Sequence, residues 1–225
     1  NDINSIYNSG VPNDLNDSAS YDTDRTGNLQ GWWRMGDGTL DSYPIIADQV
    51  NPTLGSDLIE AYTADAGSFD TDSTSAWTAP PGYVNNAIAW NSSTGDATIT
   101  HDGGGAWLIA LQKLVSGKTY RATFKAKSAD DTGYLAVTNG SNAAHYYGAV
   151  LNPALSTVYQ NYEFLFTTIS TYFEISVSSS ATTYSADVPN NLDTFTLDDI
   201  VVKEVQGNPG TMTNMAAVDI VEDTP

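Results

Sequence analysis

At 225 residues the chain is long enough for one large hydrophobic core or two small ones. Its 27 Asp and Glu against 8 Lys and Arg leave a formal charge of -19, which argues against nucleic acid and an anionic membrane surface as partners. The absence of cysteine excludes disulfides and thiolate chemistry, two histidines leave little for a His-based metal or proton-relay site, and no apolar run approaches the roughly 20 residues of a membrane span.

In chain order, Ile3, Ile6 and Tyr7 fall at i, i+3 and i+4 before Gly10 and Pro12, the pattern of a short helix that ends, so the chain reads as a fragment or a processed product. A polar connection rich in Asp and Ser follows, then Gly31-Trp32-Trp33-Arg34-Met35-Gly36-Asp37-Gly38 and the apolar stretch Tyr43 to Val50. From there the pattern is that of strands. Tyr120, Ala122, Phe124 and Ala126 alternate with Arg121, Thr123, Lys125 and Lys127, which puts one face in a core and the other in water. Tyr162, Phe164 and Phe166 repeat the alternation, as do Phe173, Ile175 and Val177. Shorter candidate strands are Leu58 to Ala61, Ala87 to Asn91, Ala97 to Thr100, Trp107 to Leu111 and Leu135 to Thr138, separated by Gly, Asn, Asp and Pro clusters. The last strand, Phe195 to Val205, breaks parity: Phe195 and Leu197 share one face by period two, and Ile200 and Val202 the other. A bulge at Asp198-Asp199 restores a single inward face and leaves a carboxylate free to meet a cation or a backbone N–H. Eight or nine such strands predict an all-β, two-sheet sandwich.

The quoted segments also carry a resemblance. Gly55 to Ile59, Ala106 to Ser128 and Leu197 to Val205 resemble the opening, central and closing strands of jelly-roll carbohydrate-binding modules of families 4, 9 and 22 and similar modules in phage structural proteins. Ile6 to Pro12, Gly31 to Gly38, Tyr43 to Val50 and Gly210 to Pro225 resemble concanavalin-like (laminin-G-type) segments of phage proteins. The resemblance implies a jelly-roll β-sandwich, residues 53–206, inserted into a small β-rich flanking unit, residues 1–52 and 207–225, that serves attachment. It further implies a structural calcium ion on Asp198, with Asp57 and Glu60 of the first strand beside it.

Flat sugar faces stack on indole and phenol rings, so a glycan site needs aromatic platforms beside amide and carboxyl groups. Trp77, Tyr83, Trp90, Trp107, Tyr146, Tyr147 and Tyr172 are the candidates. Most Trp and Tyr side chains are largely buried, so core or loop packing competes with this role at each position. Some of the 27 acids will meet the carboxyl spacing of a glycosidase by chance, and His101 and His145 lack partners at recognisable spacing, so no enzyme is expected. Arg121, Lys125 and Lys127 read as a charge-balancing solvated face. The expectation is a non-catalytic virion-surface or extracellular protein that binds a cell-surface glycan through its sandwich and joins neighbouring subunits through its flanks. A purely structural decoration module, or an accessory module of a secreted glycoside hydrolase, is the alternative.

Overall fold

The structure, a computed structural model, describes residues 15, 45–46, 53–77, 87–100, 107–129, 133–138, 154–169, 171–178, 194–207 and 209–211. The expected N-terminal helix and the Trp32-Trp33 segment lie outside these residues. In chain order the described elements are β1 (Ile45–Ile46), β2 (Leu54–Asp57), α1 (Leu58–Tyr62), a 3-10 turn (Thr74–Ala76), β3 (Ala87–Asn91), β4 (Asp96–Thr100), β5 (Trp107–Gln112), β6 (Thr119–Ser128), β7 (Tyr134–Thr138), β8 (Gln160–Thr167), β9 (Tyr172–Ser178), β10 (Thr194–Val205) and β11 (Gly210–Thr211). The chain divides into two compact units, residues 1–54 with 205–225, and residues 55–204. In the first, β1 pairs antiparallel with β11, and Gln206 donates its N–H to the Thr53 carbonyl (2.8 Å).

The second unit is all-β, as the alternation predicts. One sheet has the order β3-β4-β10-β6-β8, with β2 also on β10; the other has the order β5-β9-β7. Buried side chains of both sheets join in one hydrophobic cluster, which makes the pair a sandwich. Phe166 of the larger sheet meets Phe173 of the smaller at 6.1 Å between ring centroids, and Phe124 stacks on Phe164 at 5.7 Å within the larger sheet. Each such fully buried side chain contributes about 1.5–3 kcal/mol by leaving water.

β10 holds the larger sheet together, and it is bulged where the parity breaks. Phe195, Leu197, Ile200 and Val202 are all buried, and the pairing with β6 shifts between Asp198 and Val201. Asp199 occupies the extra position at φ 50°, a left-handed conformation that Asp tolerates better than most residues. The loop after α1 closes onto this bulge: Ile200 donates its N–H to the Gly67 carbonyl (3.0 Å), and a Cβ on residue 67 would stand 2.1 Å from the Ile200 carbonyl oxygen. Only glycine permits that approach.

One expected strand is corrected. Leu58 to Ala61 belongs to a single helical turn, and the strand precedes it at Leu54–Asp57. Asp57 decides the boundary, because its Oδ1 accepts the Ile59 N–H at 3.0 Å and so caps the turn.

Candidate functional site

The smaller sheet has one face in the core and one turned away from it, and the outward face carries the candidate site. On β9, Phe173, Ile175 and Val177 are fully buried in the core. Glu174 has the opposite parity and should by that rule be solvated, yet it is only 1% exposed. β9 is the middle strand of its sheet, and the register sets Glu174 opposite Ile109 of β5 and Thr138 of β7. The adjoining row holds Trp107, Ser176 and Ala136. Position 172, two residues before Glu174, has its parity and carries Tyr172, which pairs with Gln112 past a register shift in β5. Cross-strand neighbours share a face, so Trp107, Tyr172 and Glu174 belong to one side of one sheet. A carboxylate buried there is a strong hydrogen-bond acceptor, and the strand positions on this face include no second acid.

The other expected platforms fall elsewhere. Trp77 is 3% exposed, packs on Phe69 at 6.1 Å between ring centroids and donates its Nε1–H to the Ala66 carbonyl at 2.7 Å, which leaves no ring face open to a sugar. Trp90 is half-buried against the core and donates its Nε1–H to the Phe69 carbonyl at 2.8 Å. Both indoles hold down the loop between α1 and the 3-10 turn. Tyr83, Tyr146 and Tyr147 lie outside the described residues. Glu174 was not among the sequence candidates; its only signal is an acid at an outward position of a strand, which ordinarily marks a solvated face.

The three acids expected to share a calcium ion each accept backbone N–H groups. Asp57 Oδ1 accepts the N–H of Ile59 (3.0 Å) and of Val202 (3.1 Å), tying the first strand to the last. The two carboxylate oxygens of Glu60 accept the N–H groups of Asp65 (2.9 Å) and Gly67 (3.1 Å). Asp198 Oδ1 accepts the N–H of Asp199 at 2.8 Å. Calcium requires six to eight oxygens converging on one point, and among the described residues no group of three or more His, Cys, Asp or Glu could hold a metal ion. Any cation here would have to share these oxygens with the backbone donors that already hold them.

Charge on the larger sheet's outward face is balanced in pairs, as the stripe on β6 suggests. Arg121 grips Glu163 with both Nε (2.8 Å) and Nη2 (2.6 Å), Lys125 pairs with Asp199, and Lys118 pairs with Glu204 at 3.0 Å. Lys127 lies 4.1 Å from the ring centroid of Tyr159, whose hydroxyl donates to Asp96 Oδ2 at 2.6 Å. Burial, then the hydrogen bond to Asp96, holds the Tyr159 hydroxyl well above its ordinary range. Burial is also the main cause that raises Asp198; the neighbouring Asp199 and Asp96 charges add to it, and the Asp199 N–H and Lys125 oppose it.

No family model matches the chain. No curated protein matches it either. Among solved structures it is similar to the CBM22-1 xylan-binding domain of Xyn10C from Paenibacillus barcinonensis, at 11% identity over 63% of this chain and 94% of that one, with a TM-score of 0.42. A structure titled "CBM4 structure and function" is similar at 21% identity over 76% of this chain and 99% of that one, with a TM-score of 0.36. The enzymatically active domain of bacteriophage CBA120 tailspike protein 4 is similar at 12% identity, over 62% of this chain and 21% of that one, with a TM-score of 0.39.

Proposed function

We propose that the chain is a non-catalytic glycan-binding protein of a virion surface or an extracellular fibre, with the outward face of β5-β9-β7 as its sugar site and residues 1–52 and 207–225 as its attachment to neighbouring subunits. The register of the smaller sheet carries this reading: strand positions 107, 172 and 174, occupied by Trp, Tyr and Glu, fall on the side of the sheet away from the core. Carboxyl groups beside aromatic rings are a usual combination for holding sugar hydroxyls and ring faces. Indole and phenol rings add the flat surface on which a pyranose stacks. A glycosidase of the ordinary kind needs two carboxyl groups across the bond it cuts, and the strand positions of this face hold one, which favours binding over cleavage.

Affinity electrophoresis of the full chain through gels of neutral polysaccharides tests it. Glu174→Gln and Trp107→Ala should each weaken retardation by about tenfold or more, roughly the loss of one charged hydrogen bond or one stacking ring. Unchanged retardation in both variants, or none at all for the parent chain on any gel, would leave the purely structural reading in place.

A further inference from the structure

The opposite side of the sandwich has a groove of its own, on the outward face of β10-β6-β8. It encloses about 460 Å³, within the ordinary range of small-ligand clefts. Its floor and its ends differ in chemistry. The register sets Thr123 of β6 between Val201 of β10 and Glu163 of β8, so the middle of the groove is paved by two short side chains that offer methyl groups. Each end is closed by an ion pair, and the two pairs lean to opposite strands: Arg121 reaches across to Glu163 on β8, and Lys125 reaches to Asp199 at the bulge of β10. Asn161, directly opposite Lys125, adds an amide to the same rim. From Arg121 to Lys125 is four residues of strand, about 14 Å at about 3.4 Å each, which is room for a short run of sugar rings.

From this arrangement we infer that the groove is a second glycan site, specific for neutral sugars. A pyranose is apolar on its ring faces and polar at its edge, and the groove has the matching order: methyls beneath, with guanidinium, carboxylate and amide groups around. Carboxylates accept from hydroxyls while guanidinium, ammonium and amide groups donate to them, so both hydrogen-bonding roles of each hydroxyl find a partner. Neutrality of the ligand follows from the pairing. Each cation of the rim already has its carboxylate, so an anionic sugar would have to displace Glu163 or Asp199 in a chain of charge -19, whereas a neutral one has only to share them. Because the pairs are partly exposed, a hydroxyl can reach them from solvent and share their donors and acceptors without breaking them. The bulge thereby acquires a purpose that parity alone does not give it, since the extra residue is what brings the Asp199 carboxylate to Lys125.

This inference extends the glycan reading to a different face and stands on different residues, so one titration separates the two. The full chain, labelled with ¹⁵N, is titrated with cellohexaose, xylohexaose and laminarihexaose, and with hexagalacturonate as the charged counterpart. Amides of Thr123, Asn161 and Val201 should shift with at least one neutral hexaose and less with the charged one. The double variant Asn161→Ala, Glu163→Gln should weaken those shifts about tenfold, with an unchanged thermal midpoint and with shifts around Glu174 retained, while Glu174→Gln should do the converse. Shifts confined to the Glu174 face would overturn the second site and leave the first; shifts confined to the groove would do the opposite. Tighter binding of hexagalacturonate than of any neutral hexaose, indifference of the groove shifts to the double variant, or unmoved groove amides with every sugar would overturn the inference.

Discussion

Phe173 and Ile175, on either side of Glu174, supply the core, so the burial of the acid between them owes nothing to the core itself. Asp198 shows a second way in which a carboxylate can be withdrawn from water. It is half-buried at the bulge and faces Asp199 beside it, Asp96 on β4 and Lys125 on β6, with the net effect of raising its affinity for a proton. The unfolded chain would titrate this group near about 3.9. The folded state therefore binds the proton more tightly, so the contribution of Asp198 to stability is greatest below the unfolded value and is lost as pH rises through the folded one. Chemical denaturation of the parent and of Asp198→Asn from about pH 3.5 upward should show the parent losing this increment as pH rises past the unfolded value while the variant does not. Parallel curves would contradict the burial effect. Asn can still accept the Asp199 N–H, so the substitution tests the charge alone. At this scale the sequence is an uneven guide. The Asp198-Asp199 bulge is legible because it is a break of parity in one strand, whereas the burial of Trp77, Trp90 and Glu174 depends on what the rest of the chain lays over them.

The elements of the sandwich are legible from period two wherever one face is wet, as in β6 and β8. Legibility fails at Leu58–Tyr62, where Leu58, Ile59 and Ala61 satisfy either period over so short a run and a single Asp cap decides for the helix. That same Asp57 joins the turn to β10 by accepting the Val202 N–H across a sequence separation of 145 residues. Replacing Asp57 by Ala should cost about 1–3 kcal/mol, because it strands a part-buried N–H and removes a helix cap at once. Since the Asp57, Glu60 and Asp198 oxygens already serve backbone donors, addition of a calcium chelator should leave the thermal midpoint of the parent unchanged. A midpoint that falls on chelation and recovers with added calcium would restore the cation to this corner of the fold.

On the scale of the whole molecule, the hydrophobic cluster formed by the described residues runs from Ile59 to Val202, within the unit 55–204. Residues 53–207 expressed by themselves should thus fold, with a circular dichroism spectrum of β type and a cooperative melt within about 5 °C of the full chain. A broad, non-cooperative melt would show that the flanks supply part of the core. Beyond the spacing of Ile3, Ile6 and Tyr7 the flanks carry little period, so they are read mainly from their resemblance to other proteins, and most of them lie outside the described residues.

β10 pairs with β2, β4 and β6, which lie from about 70 to 145 residues before it, and it is the last strand of the sandwich to leave the ribosome. During synthesis the edges of β4 and β6 that it will occupy stand open until β10 has emerged. Local pairs such as β3-β4 and β6-β8 can form early, but the larger sheet cannot close until residue 205 arrives. Such a topology places folding in the slow range of all-β proteins, milliseconds to seconds, and leaves the nascent sandwich most vulnerable to misassociation before β10 is made. The strand that completes the larger sheet would also set the pace at which folded protein accumulates.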